Sequence, residues 1–225
     1  FLQRSYDEII HDVALQNAPV IFAVDRAGLV GPDGPTHHGV FDLAYFRSIP
    51  NMTVLVPRDQ FMLERMLVHA LKNQGPTAIR YPRDSIVSAP LKPGNLRTGR
   101  AEILQEGSRL TIFCCGPLCY TVLEAVAGLE GVAVVDLMYA KPLDTRTVRD
   151  MVRSCKGRFA VVEDGCIHGG MGSAVVEALQ DIDHPLRFRL LGVPDTFVEH
   201  GSLGQLRKAL GLDAEGIRKT VSELL

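Results

Sequence analysis

The chain has 225 residues, 46% of them apolar and 22% charged, and a formal net charge of -2. That length holds one large or two ordinary globular domains, and the charge balance leaves no electrostatic footprint for nucleic acid or an anionic membrane. No apolar run approaches the ~18 residues of a transmembrane helix, and no stretch reads as a basic-then-apolar leader. The five cysteines form neither a CxxC pair nor a Cys/His metal spacing, which predicts reduced structural thiols in a cytoplasmic protein.

Phe1, Tyr6, Ile9, Ile10, Val13 and Ala14 recur at helical spacing, so the chain is expected to open inside a helix, as the middle of something longer would. Val20–Val24 is a short β-branched run ended by turn residues, a buried strand. Asp25–His38, reading DRAGLVGPDGPTHH, follows it as a loop at a strand's C-terminal end, where open α/β sheets place their ligands. A short helix is expected near Phe41–Phe46, then a strand at Thr53–Val56 closed by Pro57, with an N-cap region at Arg58–Asp59. Apolar positions over Gln60–Lys72 predict an amphipathic helix, and Ala78–Tyr81 a strand stopped by Pro82. Residues 84–99 lose periodicity and carry Pro90, Pro93, Gly94 and Gly99, the composition of a linker.

A second unit starts near Arg100. Its expected strands are Arg109–Cys115, Val132–Leu137, Phe159–Glu163 and Phe188–Val193, with helices at about 117–128, 144–155, 171–182, 203–210 and 213–224. Strand alternating with helix at this spacing predicts α/β units: two parallel- or mixed-sheet, three-layer domains, at 1–84 and 100–225, joined by a linker at 85–99.

The loop carries the chemistry. Arg26, and Arg83 just after a strand, sit at C-terminal strand ends, and a guanidinium fork suits a phosphate. Pairing of either arginine with a neighbouring acid such as Asp25 or Asp84 reads equally well. Arg80 falls mid-strand and is expected to be structural. Asp33 lies in a Pro-Asp-Gly turn sequence, which does not prevent its carboxylate from facing a ligand. His37 and His38 are paired imidazoles suited to proton transfer. His168-Gly169-Gly170-Met171-Gly172 precedes a helix but lacks the order of a phosphate loop, so it reads as a tight strand-to-helix connection. His200, beside Glu199, reads as a surface or interface residue. His11, His69 and His184 have no constellation around them, and no metal site is predicted.

Six strings, FLQRSYDEIIHDVALQ, DRAGLVGPDGPTHHGVFDLAY, IRYPR, VVDLMYAKPLD, VEDGCIHGGMGSAV and LGVPDTFVEHG, occur in one order along nearly the whole chain. Together they resemble the 1-deoxy-D-xylulose-5-phosphate synthases, a branch of the transketolase-like thiamine diphosphate enzymes. The resemblance implies a transferase that condenses pyruvate with glyceraldehyde 3-phosphate and releases carbon dioxide, using thiamine diphosphate and Mg²⁺, in isoprenoid and thiamine precursor biosynthesis. It implies the later part of a pyrimidine-binding domain followed by a transketolase C-terminal-like domain. The metal and diphosphate site, with its GDG…N motif, and the glutamate on the aminopyrimidine are then expected in a preceding portion, so that this chain alone is expected to be inactive. By the same resemblance Arg26 and Arg83 clamp the substrate phosphate and Asp33 belongs to the acceptor pocket. His37 stands beside the reacting carbons as the catalytic residue, with His38 its neighbour, and Phe1 stacks on the cofactor's aminopyrimidine. A homodimer is the expected assembly of the complete enzyme. Two other readings stay open: the β-type subunit of a two-subunit thiamine enzyme (a 2-oxoacid dehydrogenase or split transketolase), and a non-catalytic docking or oligomerisation module.

Overall fold

The structure is a computed structural model that describes residues 2–85, 91 and 96–225. The opening segment is helical, but it is not one α-helix: a 3-10 turn at Leu2–Ser5, a short α1 at Tyr6–Glu8 and a π-helical stretch at Ile9–Ala14 follow one another. Ile9 and Ala14 are buried. Phe1 lies outside the described residues.

The first sheet has the order β1-β3-β2-β7, β7 being Tyr139–Lys141. β1 (Ile21–Val24) and β2 (Thr53–Leu55) both pair in parallel with β3 (Thr77–Arg80). Helix α2 (Asp42–Ser48) brings Leu43 and Phe46 to one face, against Val24, Val54 and Ala78. Helix α3 (Gln60–Ala70) covers the other with Met62, Met66 and Ala70, against Leu55 and Ile79. Neighbouring strand residues point to opposite faces, so the apolar runs of these short strands serve both layers. Asp59 caps α3 as expected, its side chain accepting from the N–H of Met62 at 2.9 Å.

The second sheet, β4-β6-β5-β8-β9, comprises β4 (Glu102–Gln105), β5 (Leu110–Cys114), β6 (Val132–Asp136), β8 (Arg158–Cys166) and β9 (Arg187–Val193). All its pairs are parallel except β4 with β6. Ile112, Val134 and Val162 pack under α4 (Leu118–Val126) and α8 (Ala214–Leu224). Phe113, Val135 and Phe159 pack on the opposite side, under α5 (Thr145–Ser154) and α6 (Met171–Ala178). Both sheets are therefore three-layered and mixed. The helix before α8, α7 (Leu203–Ala209), starts with a capping box formed by Ser202 and Gln205.

Two strands were not legible beforehand. β4 is a short, half-exposed edge with weak alternation. β7 (Tyr139–Lys141) lies within the second unit along the chain but pairs antiparallel with β2 in the first sheet, Leu55 opposite Tyr139. The two halves are also joined by charge. Arg58, fully buried, donates from Nη1 to Asp136 at 2.8 Å and to Glu102 at 2.6 Å. Burial pushes the Asp136 carboxyl up to about 6, although Arg58 opposes the shift.

Candidate functional site

The chain leaves β1 at Val24 and turns sharply. Arg26 adopts a left-handed backbone, φ 59°, which non-glycine residues take rarely. Its N–H donates to Asp25 Oδ1 at 2.6 Å. The loop is closed at its base by two hydrogen bonds of 2.8 Å, Gly28 N–H to the Gly39 carbonyl and Gly39 N–H to the Gly28 carbonyl. It is thus a compact loop whose ends meet. Gly28 is required there: its φ is +74°, and a Cβ would lie 2.3 Å from Asp164 Oδ2.

Arg80 supports the base from below. It is 1% exposed and donates to Asp42 Oδ2 at 2.9 Å, to Asp164 Oδ1 at 2.7 Å and to the Gly39 carbonyl at 3.4 Å. Burial opposes its charge, but the carboxylates of Asp164 and Asp42 outweigh that and hold its pKa well above the ordinary value. Burial raises the Asp42 carboxyl despite Arg80. Arg80 is therefore structural, as expected, although it ends β3 rather than lying within it. Its two acidic partners, 38 and 84 residues away, had no signal in the sequence.

Above this base, a 3-10 turn at Gly31–Asp33 presents the Asp33 carboxylate. Asp33 Oδ2 accepts from Arg26 Nη1 at 3.2 Å and from Arg83 Nη1 at 2.9 Å. Three residues singled out by sequence, from two separate loops, thus converge on one oxygen atom. The trio carries one net positive charge and remains open to water, Arg83 most of all, with 58% of its side chain exposed. Pairing with Asp25 or Asp84 is not what the side chains do; Asp84 instead lies 3.5 Å from Arg207. Asp33 both shapes the turn and directs its carboxylate to the arginines.

The two histidines differ. His37 is half-buried, its N–H donating to the Gly34 carbonyl at 3.0 Å and its Nδ1 lying 2.9 Å from Thr36 Oγ1. His38 is buried; its Nδ1 accepts from the N–H of Val30 at 3.1 Å, and its Nε2 lies 3.5 Å from the Glu199 carbonyl. That assigns the ring proton to Nε2.

The glycines before α6 do not cradle an external anion. The Glu163 carboxylate already accepts from the N–H groups of Met171 and Gly172, both at 2.8 Å, occupying the positive end of that helix. Burial pushes Glu163 up to about 7 against the pull of those two N–H groups. Cys166 ends β8 and donates to the His168 carbonyl at 3.2 Å; burial raises its thiol, so it is a poor nucleophile. Among the described residues no group of three or more His, Cys, Asp or Glu side chains stands close enough to hold a metal ion. No helix of the described residues is long and apolar enough to cross a membrane.

Both halves of the chain match known domain families. Residues 1–87 match the family "Transketolase, pyrimidine binding domain", and residues 99–217 match "Transketolase, C-terminal domain". 1-Deoxy-D-xylulose-5-phosphate synthases of Thermus thermophilus and Gloeobacter violaceus are each 46% identical over all of this chain. In both cases the chain spans 36% of the relative's length. Among solved structures, a split gene transketolase described as an inactive beta4 tetramer superposes with a TM-score of 0.86 at 28% identity. It covers 99% of this chain and 71% of its own. Transketolase of Campylobacter jejuni shares the fold, with a TM-score of 0.77 at 19% identity, over 99% of this chain and 34% of its own. The chain belongs to the transketolase family of thiamine diphosphate enzymes, carrying sequence of its pyrimidine-binding and C-terminal domains.

Proposed function

We propose that these residues are the acceptor-substrate part of a 1-deoxy-D-xylulose-5-phosphate synthase. The observation that carries this reading is the convergence of Arg26 and Arg83 on one carboxylate oxygen of Asp33, in a chain 46% identical throughout to enzymes of that name. Two guanidinium groups held a hydrogen bond's length from a shared anionic oxygen are already arranged for a phosphate, which carries more charge than a carboxylate and accepts both forks. On this reading Arg26 and Arg83 bind the phosphate of glyceraldehyde 3-phosphate, while Asp33 orients them and lines the acceptor pocket. His37 moves protons on and off oxygens beside the reacting carbons, and Phe1 stacks on the aminopyrimidine.

Thiamine diphosphate supplies the electron sink for decarboxylating pyruvate. The Mg²⁺ and diphosphate end of that cofactor is expected outside these residues, and no group of three or more His, Cys, Asp or Glu side chains for a metal stands among the described ones. We assign that end to a further portion of the enzyme, and the condensation to the complete enzyme, read as a cytoplasmic homodimer. The five free cysteines, four of them buried, support a reducing compartment.

The test is turnover of pyruvate with glyceraldehyde 3-phosphate by the 225-residue chain, alone and mixed with the preceding portion of a related synthase. We expect no product from the chain alone and recovery on mixing. Full-rate turnover by the chain alone, or binding without recovered activity, overturns this division of labour; the latter result marks a docking module. A second reading rests on the split gene transketolase, of which the chain covers 71%: the remaining portion is then a separate polypeptide, and co-purification of a partner subunit distinguishes it.

A further inference from the structure

The loop's placement is decided by the second sheet's connections, and one side chain makes the link. Val193, Val198, Leu203 and Leu206 form an apolar cluster with Leu29 and Val40, the residues on either side of the anion-facing turn. Gly31 accepts from the N–H of Gly201 at 3.4 Å. Gly34, with φ +74°, approaches so closely that a Cβ on it would lie 3.3 Å from the Cβ of His200. Between these contacts lies His38, 8% exposed, with one ring nitrogen on Val30 inside the loop and the other toward Glu199, 161 residues away. The same segment reaches the far side of the site, where Arg207 faces Asp84, next to Arg83.

We propose that His38 is a positioning residue: it ties the loop that carries Arg26 and Asp33 to the backbone at Glu199–Gly201, so that acceptor affinity is set from the C-terminal unit. The proposal rests on the phosphate reading above. His38 touches no substrate. It acts by fixing where Asp33 sits, and through Asp33 the direction of both guanidinium groups. His200 is exposed, as expected of a surface residue, and packs against Gly34 through its backbone and Cβ.

The two ring nitrogens can be separated by substitution. In His38→Asn the amide oxygen replaces Nδ1 and still accepts from Val30, but nothing reaches Glu199. In His38→Gln the longer amide replaces Nε2 and keeps the cross-unit contact. Inorganic phosphate is titrated into the 225-residue chain by calorimetry, and hydrogen exchange is followed at Gly201 and across Gly28–Gly39.

We expect His38→Asn to weaken phosphate binding about tenfold and to speed exchange at Gly201. Tenfold corresponds to about 1.4 kcal/mol; the contact to Glu199 is long, 3.5 Å, so its loss supplies only part of the effect and loosening of the loop supplies the rest. His38→Gln should stay within about twofold of the parent in both readouts. A merely structural histidine would not rank the variants this way: equal loss in both, tracking thermal stability, overturns the proposal, as does an unaltered Asn variant. If the parent chain binds no phosphate, the phosphate reading fails, and the exchange at Gly201 in Asn against Gln still decides whether His38 positions the loop.

Discussion

Arg83 donates to Asp33 at 2.9 Å across 50 residues of sequence, onto the oxygen that Arg26 reaches at 3.2 Å. One carboxylate thus holds together two cations that would otherwise repel, and it competes with any anion they bind. Asp33→Asn keeps the turn and a hydrogen-bond acceptor but removes the competing charge. Calorimetry at fixed low salt should show inorganic phosphate binding about threefold to tenfold more tightly. Arg26→Ala or Arg83→Ala should weaken it by tenfold or more, the size of a lost charge-assisted hydrogen bond. Three variants with the parent's affinity would remove the case for an anion site.

Among the described residues Arg80 is the only cation ion-paired with Asp42 and Asp164. Arg80→Met leaves two buried carboxyls without a cationic partner, Asp42 keeping only the N–H of Leu43, and should cost about 3–5 kcal/mol at pH 8. The loss should shrink at lower pH, where the Asp42 carboxyl, raised by burial, takes up a proton. Urea unfolding midpoints measured as pH is lowered check this, and a pH-independent loss would contradict the account.

Glu163 and Asp136 have carboxyls raised to about 7 and about 6 from ordinary values of 4.5 and 3.8. A raised folded-state pKa means that the folded chain holds the proton more tightly than the unfolded one. Their contribution is complete below about pH 4 and is lost as pH rises through 6 and 7. Thermal stability should therefore decline between pH 5 and pH 8, and Glu163→Gln should flatten the decline while lowering stability overall, since an amide oxygen serves one of the two N–H groups of Met171 and Gly172 less well. A variant whose slope matches the parent's would rule Glu163 out as a source.

β7 completes the first sheet from within the second unit, and Arg58 and Arg80 carry buried ion pairs across the same boundary. The two halves should unfold in one transition. Amides of Val54 and Leu55 in β2 are expected to share the exchange protection of Val134 and Val135 in β6. Two separated urea transitions would show instead that the sheets are independent.

Legibility followed the range of the signal. The strands at Ile21–Val24 and Leu110–Cys114 and the capped start at Asp59 were readable because apolar period and capping act over a few residues. β4 and β7 were not: three or four residues at a sheet edge give too short a pattern, and β7's partner belongs to another unit. The opening helix was readable as helical but not as a 3-10, α and π succession, because apolar spacing does not distinguish hydrogen-bond registers that differ by one residue.

The sequence by itself determined the kind of chemistry: a cationic, imidazole-bearing loop at a strand's end and six strings in the order of a thiamine-enzyme family. Only the tertiary structure decided the partners. It chose Asp33 rather than Asp25 or Asp84 for the two arginines, filled the glycine-rich helix start with Glu163, and turned His38 inward to Glu199. Residue type fixes which charges and donors are available, whereas which of them meet depends on packing contacts between residues up to 161 positions apart, for which local pattern carries no information.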